Sequence, residues 1–164
     1  MSTTLSFATH EHHDRLKPHI DAMPEVGDLV GHTPPEELRP RLDELADFLD
    51  GLLIPHMDSA ERSLYPELER KLQNRHSMGP MRREHQQIRE LVASIGELRT
   101  RADARQLNTG DCVALRRSIF RLYALLKVHL AEEELYAAAL EHGESDEEVA
   151  RLASALDHEV SGAF

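Results

Sequence analysis

Four histidines have the type and spacing to do chemistry together: His13, His56, His85 and His129. Each lies on the apolar stripe of a stretch whose hydrophobic residues recur at helical intervals, not on its charged face. The clearest stretch is Val128-His129-Leu130-Ala131-Glu132-Glu133-Glu134-Leu135-Tyr136. Here His129 and Glu133 take stripe positions that hold Leu and Ile elsewhere in the same helix. Residues i and i+4 share a helix face, so both side chains can reach one centre. A single inward histidine is ordinarily a hydrogen-bonded core residue. One on each of four helices points instead to a metal site. Neutral imidazole suits iron, zinc, copper or nickel, and a carboxylate can bridge two ions. A His-rich, thiolate-free set with a carboxylate, inside a helical bundle, points to iron.

The elements that must position these residues can be read in order. Residues 5–24 form a first helix, with Leu16, Ile20 and Met23 following His13 at helical spacing and a bend expected at Pro18. Residues 24–34 read as a linker. Thr33 is the expected N-cap of the next helix, with Pro34 at its first position and Glu36 and Glu37 in its first turn. That helix runs over about 34–73. Its stripe is Leu38, Leu42, Leu45, Leu49, Leu52, His56, Ala60, Leu64, Leu68 and Leu72, and a bend is expected near Pro55. A third helix spans about 79–103, with Met81, His85, Ile88, Ile95 and Leu98 inward. A fourth spans about 111–142, with Leu115, Ile119, Leu122, Leu126, His129, Glu133, Tyr136 and Leu140 inward. Ser145 and Glu148 form a capping box for a short C-terminal helix over about 146–158.

The expected architecture is all-α: an antiparallel up-down-up-down four-helix bundle over about 5–142, followed by the short C-terminal helix, in one domain over 1–164. A length check supports it. At ~1.5 Å per residue, His129 lies roughly 27 Å into its helix, His85 roughly 27 Å from the end of its own, and His56 roughly 33 Å into its helix. In an up-down bundle those levels nearly coincide, and His13 falls at the same end.

The bulk properties narrow the function. The chain has 164 residues, 40% hydrophobic and 30% charged, enough for one domain with a sizeable core. The apolar residues are mostly Leu and Ala, which favours helix. A net charge of −11 argues against nucleic acid and against anionic membrane surfaces as partners. With one cysteine, Cys112, neither an internal disulfide nor a cysteine-built zinc site is available. The N-terminus has no basic n-region or apolar h-region, and no run approaches a membrane span, so a cytoplasmic location is expected. HExxH, Walker A, GxGxxG and GxSxG motifs are absent, as is any Glu-x-x-His pair of the ferritin-like kind.

The chain resembles the hemerythrin-like (HHE cation-binding) family. The matching pieces are His13 with Leu16 and Ile20; His56 followed by Glu61 and Leu64-Tyr65-Pro66; Glu84-His85 with Ile88 and Arg89; and His129-Leu130 with Glu132-Glu133 and Leu135. The resemblance implies a non-haem di-iron centre, two iron ions per chain, at one end of the bundle. Two departures stand out. The bridging glutamate that the family usually carries four residues after the second helix's histidine is replaced by Ala60, and Met81 stands where oxygen carriers have another histidine. The ligand set implied is therefore His13, His56, His85, His129 and Glu133, with Glu61 leaning inward to fill the gap. His10 and Tyr136 are possible additions. Altered ligation and a nearby tyrosine suit turnover of small oxidants, hydrogen peroxide or nitric oxide, in redox defence by a peroxidase- or catalase-type oxidoreductase. The alternative is an oxygen or iron sensor or binding module without turnover, and the expected partner is a small-molecule oxidant or a diatomic gas. The oligomeric state is left open.

Overall fold

The Leu-rich stripes become four helical rods in the computed structural model, which describes residues 5–104 and 106–142. The first rod, α1 (Leu5–Leu29), runs through both Pro18 and Pro24. The expected linker is thus shortened to residues 30–34. Pro24 costs the helix a hydrogen bond, but Val26 and Val30 beyond it are buried in the core and carry the chain past it. Gly31, at φ 81°, makes the turn that follows, a conformation strained for any side chain.

The second rod is helical from end to end but is not one α-helix. It comprises α2 (Pro35–Phe48), a π turn at Leu49–Leu53, α3 (Ile54–Ser59), a second π turn at Ala60–Leu64, and α4 (Tyr65–Lys71). Each π turn ends two residues before a proline, Pro55 or Pro66. Proline lacks the N–H of the helical ladder and crowds the carbonyl four residues back. A widened turn relieves both problems by absorbing one extra residue. The extra residue rotates everything after it. Leu53, not the expected Leu52, is inside, and Leu52 is 42% exposed. Tyr65 is fully buried where Leu64 was expected. The start also differs from expectation. Pro34 occupies the cap position in an extended conformation (φ −56°, ψ 148°), because the residue before Pro35 is excluded from the helical region.

The remaining rods are α5 (Gly79–Ala104) and α6 (Thr109–His142). Asn108 caps α6 by accepting a 2.8 Å hydrogen bond from the Asp111 backbone N–H. The expected short helix over 146–158 and the side chain of Leu140 lie outside the described residues.

Contacts between neighbouring rods run in opposite chain order. Along α1 and α6, Asp28 pairs with Arg116, Asp21 with Lys127, and His13 with Glu134. Along α5 and α6, Arg101 pairs with Asp111, Ser94 with Ser118, and His85 with His129. Two apolar clusters fill the interior. The larger draws on Leu16, Ile20, Leu42, Ile95, Leu122 and Leu126, among others. The smaller comprises Ala60, Tyr65, Leu68, Leu72, Met78 and Met81. The four histidines occupy a polar layer between them, so both clusters exclude water from it. Leu122 is fully buried, and Leu122→Ala is expected to cost about 2–5 kcal/mol in unfolding free energy, read by urea denaturation of the metal-free protein. A loss below about 1 kcal/mol would mean the larger cluster is not close-packed. Among the described residues, no helix is long and apolar enough to cross a membrane.

Candidate metal centre

Glu133 stands at the middle of the polar layer and is fully buried. Its Oε2 lies 3.0 Å from His13 Nε2 and 3.3 Å from His56 Nε2. Its Oε1 lies 2.6 Å from the Tyr65 hydroxyl and 3.8 Å from His129 Nε2. His85 Nε2 completes the cluster, 2.9 Å from His129 Nε2 and 3.0 Å from the Tyr65 hydroxyl. The donor atoms form two groups that share Glu133: His13, His56 and Glu133, and His85, His129 and Glu133, each within 4.8 Å.

The hydrogen-bond partners on the outer side of each ring decide what the inner side offers. Three rings have Nδ1 against a carboxylate: His13 at 3.0 Å from Glu134, His85 at 2.7 Å from Glu61, and His129 at 2.7 Å from Glu84. A carboxylate only accepts, so in neutral His85 and His129 Nδ1 carries the hydrogen and Nε2 presents a lone pair inward, whereas His13 has a carboxylate at each nitrogen, Glu134 at Nδ1 and Glu133 at Nε2. The lone pairs of His85 and His129 therefore face each other. His56 Nε2 is close to Glu133 but not aligned with it, and is a buried nitrogen without a hydrogen bond.

Protons cannot readily fill this arrangement. Burial, with His129 adding to it, pushes His85 down to about 4. Burial likewise lowers His129, although Glu133 opposes the effect. Burial by itself would raise the Glu133 carboxyl, but the imidazoles of His13 and His56 beside it hold it well below the ordinary carboxylate range. An ionised carboxylate among buried imidazoles is a site for cations, and a set built from nitrogen and oxygen alone fits iron. Burial and the charge of Glu133 push the Tyr65 phenol far above its usual value, so without a cation beside it the hydroxyl keeps its proton.

The structure brings together His13, His56, His85, His129 and Glu133. Glu61 is elsewhere. Its carboxylate is turned outward, 2.7 Å from His85 Nδ1 and 2.9 Å from the Arg89 guanidinium. Ala60 takes the inward position and Arg89 anchors the acid on the outside. Arg89 and His85 also keep Glu61 ionised, overcoming the upward push of burial. His10 is exposed, with Nδ1 3.5 Å from Glu134. Tyr136 packs half-buried against the smaller apolar cluster.

Tyr65 was not singled out by spacing. Nine residues after His56, it would lie about 180° round an unbroken α-helix. The π turn at Ala60–Leu64 takes back about 100° and swings it into the layer. Pro66 was the one signal in the sequence that such a turn precedes it.

The match to known families agrees with this placement. The description that matches is the hemerythrin HHE cation binding domain, over residues 5–138. No curated protein and no solved structure matches the chain. The matched span runs from the first described turn of α1 into the last turns of α6 and takes in every residue of the polar layer, so the chain belongs to the hemerythrin HHE cation-binding domain family.

Proposed function

We propose that the protein binds two iron ions, which His13 and His56, His85 and His129, and the shared Glu133 would hold, and that it breaks down hydrogen peroxide in cytoplasmic redox defence. The observation that carries this reading is the convergence of buried imidazole nitrogens on a single buried carboxylate with one oxygen toward each histidine pair. Contacts in opposite chain order along adjacent rods support the up-down-up-down order that brings those pairs to one level.

When bound, the iron pair supplies two-electron redox chemistry to a small oxidant. The protein supplies the rest. Glu61 and Glu84 hold His85 and His129 in one tautomer, and Glu134 orients the His13 ring. The apolar clusters on either side keep bulk water out. Tyr65 holds a proton 2.6 Å from Glu133 Oε1, where it can protonate a departing oxygen. Peroxide is favoured over nitric oxide because its disproportionation is balanced without an outside reductant. Two hydrogen peroxide molecules give two water molecules and dioxygen, one being reduced as the other is oxidised.

Oxygen release from peroxide by iron-loaded protein tests the proposal. Steady evolution is expected. Tyr65→Phe should retain its iron and evolve oxygen about 100-fold more slowly, the effect of losing a positioned proton donor. Iron-loaded protein that evolves no oxygen, or that forms a stable reversible oxygen complex, would overturn turnover in favour of sensing or carriage.

A further inference from the structure

Three of the four inward histidines are braced by a carboxylate, and His56 is not. Its Nδ1 lies 3.0 Å from Nδ1 of His12, a half-buried imidazole one residue before His13 on α1. His13, His85 and His129 have Glu134, Glu61 and Glu84 in the equivalent place. We propose that His12 is a positioning residue whose uncharged brace makes the His13–His56 position the weaker and more exchangeable of two metal positions.

A carboxylate on the Nδ1–H of a ligating imidazole fixes its tautomer, holds the ring plane and raises the basicity of Nε2. An imidazole partner does none of these as well. It brings no negative charge, and either of two facing Nδ1 atoms can be the donor, so the pair does not impose one tautomer on His56. The other position has two carboxylate-braced rings. It also has the Tyr65 oxygen 3.0 Å from His85 Nε2. The two histidine pairs share Glu133 but differ in what stands behind them.

This inference rests on the two-iron reading, and the test separates the failure of each. The full-length metal-free protein is titrated anaerobically with ferrous iron, and the two stepwise dissociation constants are read by calorimetry. Two unequal steps are expected. His56→Ala should keep the tight step and lose the weak one, while His129→Ala should lose the tight one. His12→Asp puts a carboxylate oxygen where His12 Nδ1 now stands, since both atoms are two bonds from Cβ. It should tighten the weak step about tenfold and leave the tight step unchanged. His12→Ala should loosen the same step about tenfold. Circular dichroism of each variant separates a folding defect from a binding one. Equal steps in the unmodified protein, His12 variants that leave the weak step unmoved or shift both steps alike, or loss of both irons on His56→Ala would each overturn the inference while leaving two-iron binding intact. Unmodified protein that takes up no iron would overturn both.

Discussion

Glu133→Gln is expected to strip the protein of both irons, measured as metal per chain after reconstitution and desalting. Glu133 is the acid shared by both donor groups, with one oxygen toward each. Its neighbours are imidazoles and a phenol, so it is the carboxylate that supplies negative charge at the centre of the cluster. Glutamine keeps the size and removes the charge. The same variant should also reveal how much of the protein's stability is metal-linked. A ligand at about a thousand times its dissociation constant adds about 4 kcal/mol to folding. For a chain of this size, 1 kcal/mol moves Tm by about 2–4 °C. Chelation should therefore lower Tm of the iron-loaded protein by on the order of 10 °C and leave Glu133→Gln unmoved. A glutamine variant that retains both irons would remove Glu133 from its bridging place.

The metal-free protein should lose stability as the pH falls from 6.5 to about 4. His85 titrates at about 4 when folded, against an ordinary value of 6.5, because it is buried and sits beside His129. Between those values the unfolded chain binds a proton that the folded chain refuses, so acid favours unfolding. The gap of about 2.5 pH units corresponds to about 3 kcal/mol, and the loss ends once the folded state is also protonated. His129 is displaced in the same direction by its burial and adds to the effect. Glu133 acts in the same direction: its folded value lies well below the ordinary carboxylate range, so its contribution begins to be lost as the pH falls through that ordinary range and is gone below the folded value. Urea midpoints at pH 7 and pH 4.5 measure the difference, and His85→Leu should shrink it. Equal midpoints would mean that the buried rings do not exclude protons.

Much of the frame was legible because helix periodicity is local and strong. The stripes containing Leu16 and Ile20, Leu42 and Leu45, Ile88 and Ile95, and Leu115 and Leu122 all face the core. The histidines stand on those stripes, and His129 with Glu133 needed only the i+4 rule. The second rod was less legible, since a helical wheel assumes 100° per residue throughout. Two π turns break that assumption ahead of Pro55 and Pro66. The stripe slips from Leu52 to Leu53 and from Leu64 to Tyr65. The extent of α1 was also misjudged at Pro24, where burial of Val26 and Val30 outweighs a lost hydrogen bond.

By itself the sequence determined which residues share a helix face, because that follows from neighbours three and four positions apart. It therefore determined four helical rods and the inward direction of His13, His56, His85, His129 and Glu133. What stands behind each ring was decided only by tertiary structure. Glu134, Glu84, Glu61 and His12 come from other rods or from the far side of a turn, at separations of 121, 45, 24 and 44 residues from the rings they touch. No local pattern encodes such distances. The hydrogen bonds they make orient the rings, and at His85 and His129 they leave the Nε2 lone pair facing inward. The carboxylate left unplaced by Ala60 shows the same division. A gap in the spacing could be seen in the chain, but only the packed rods turn Glu61 outward onto Arg89 and bring the Tyr65 hydroxyl to Glu133.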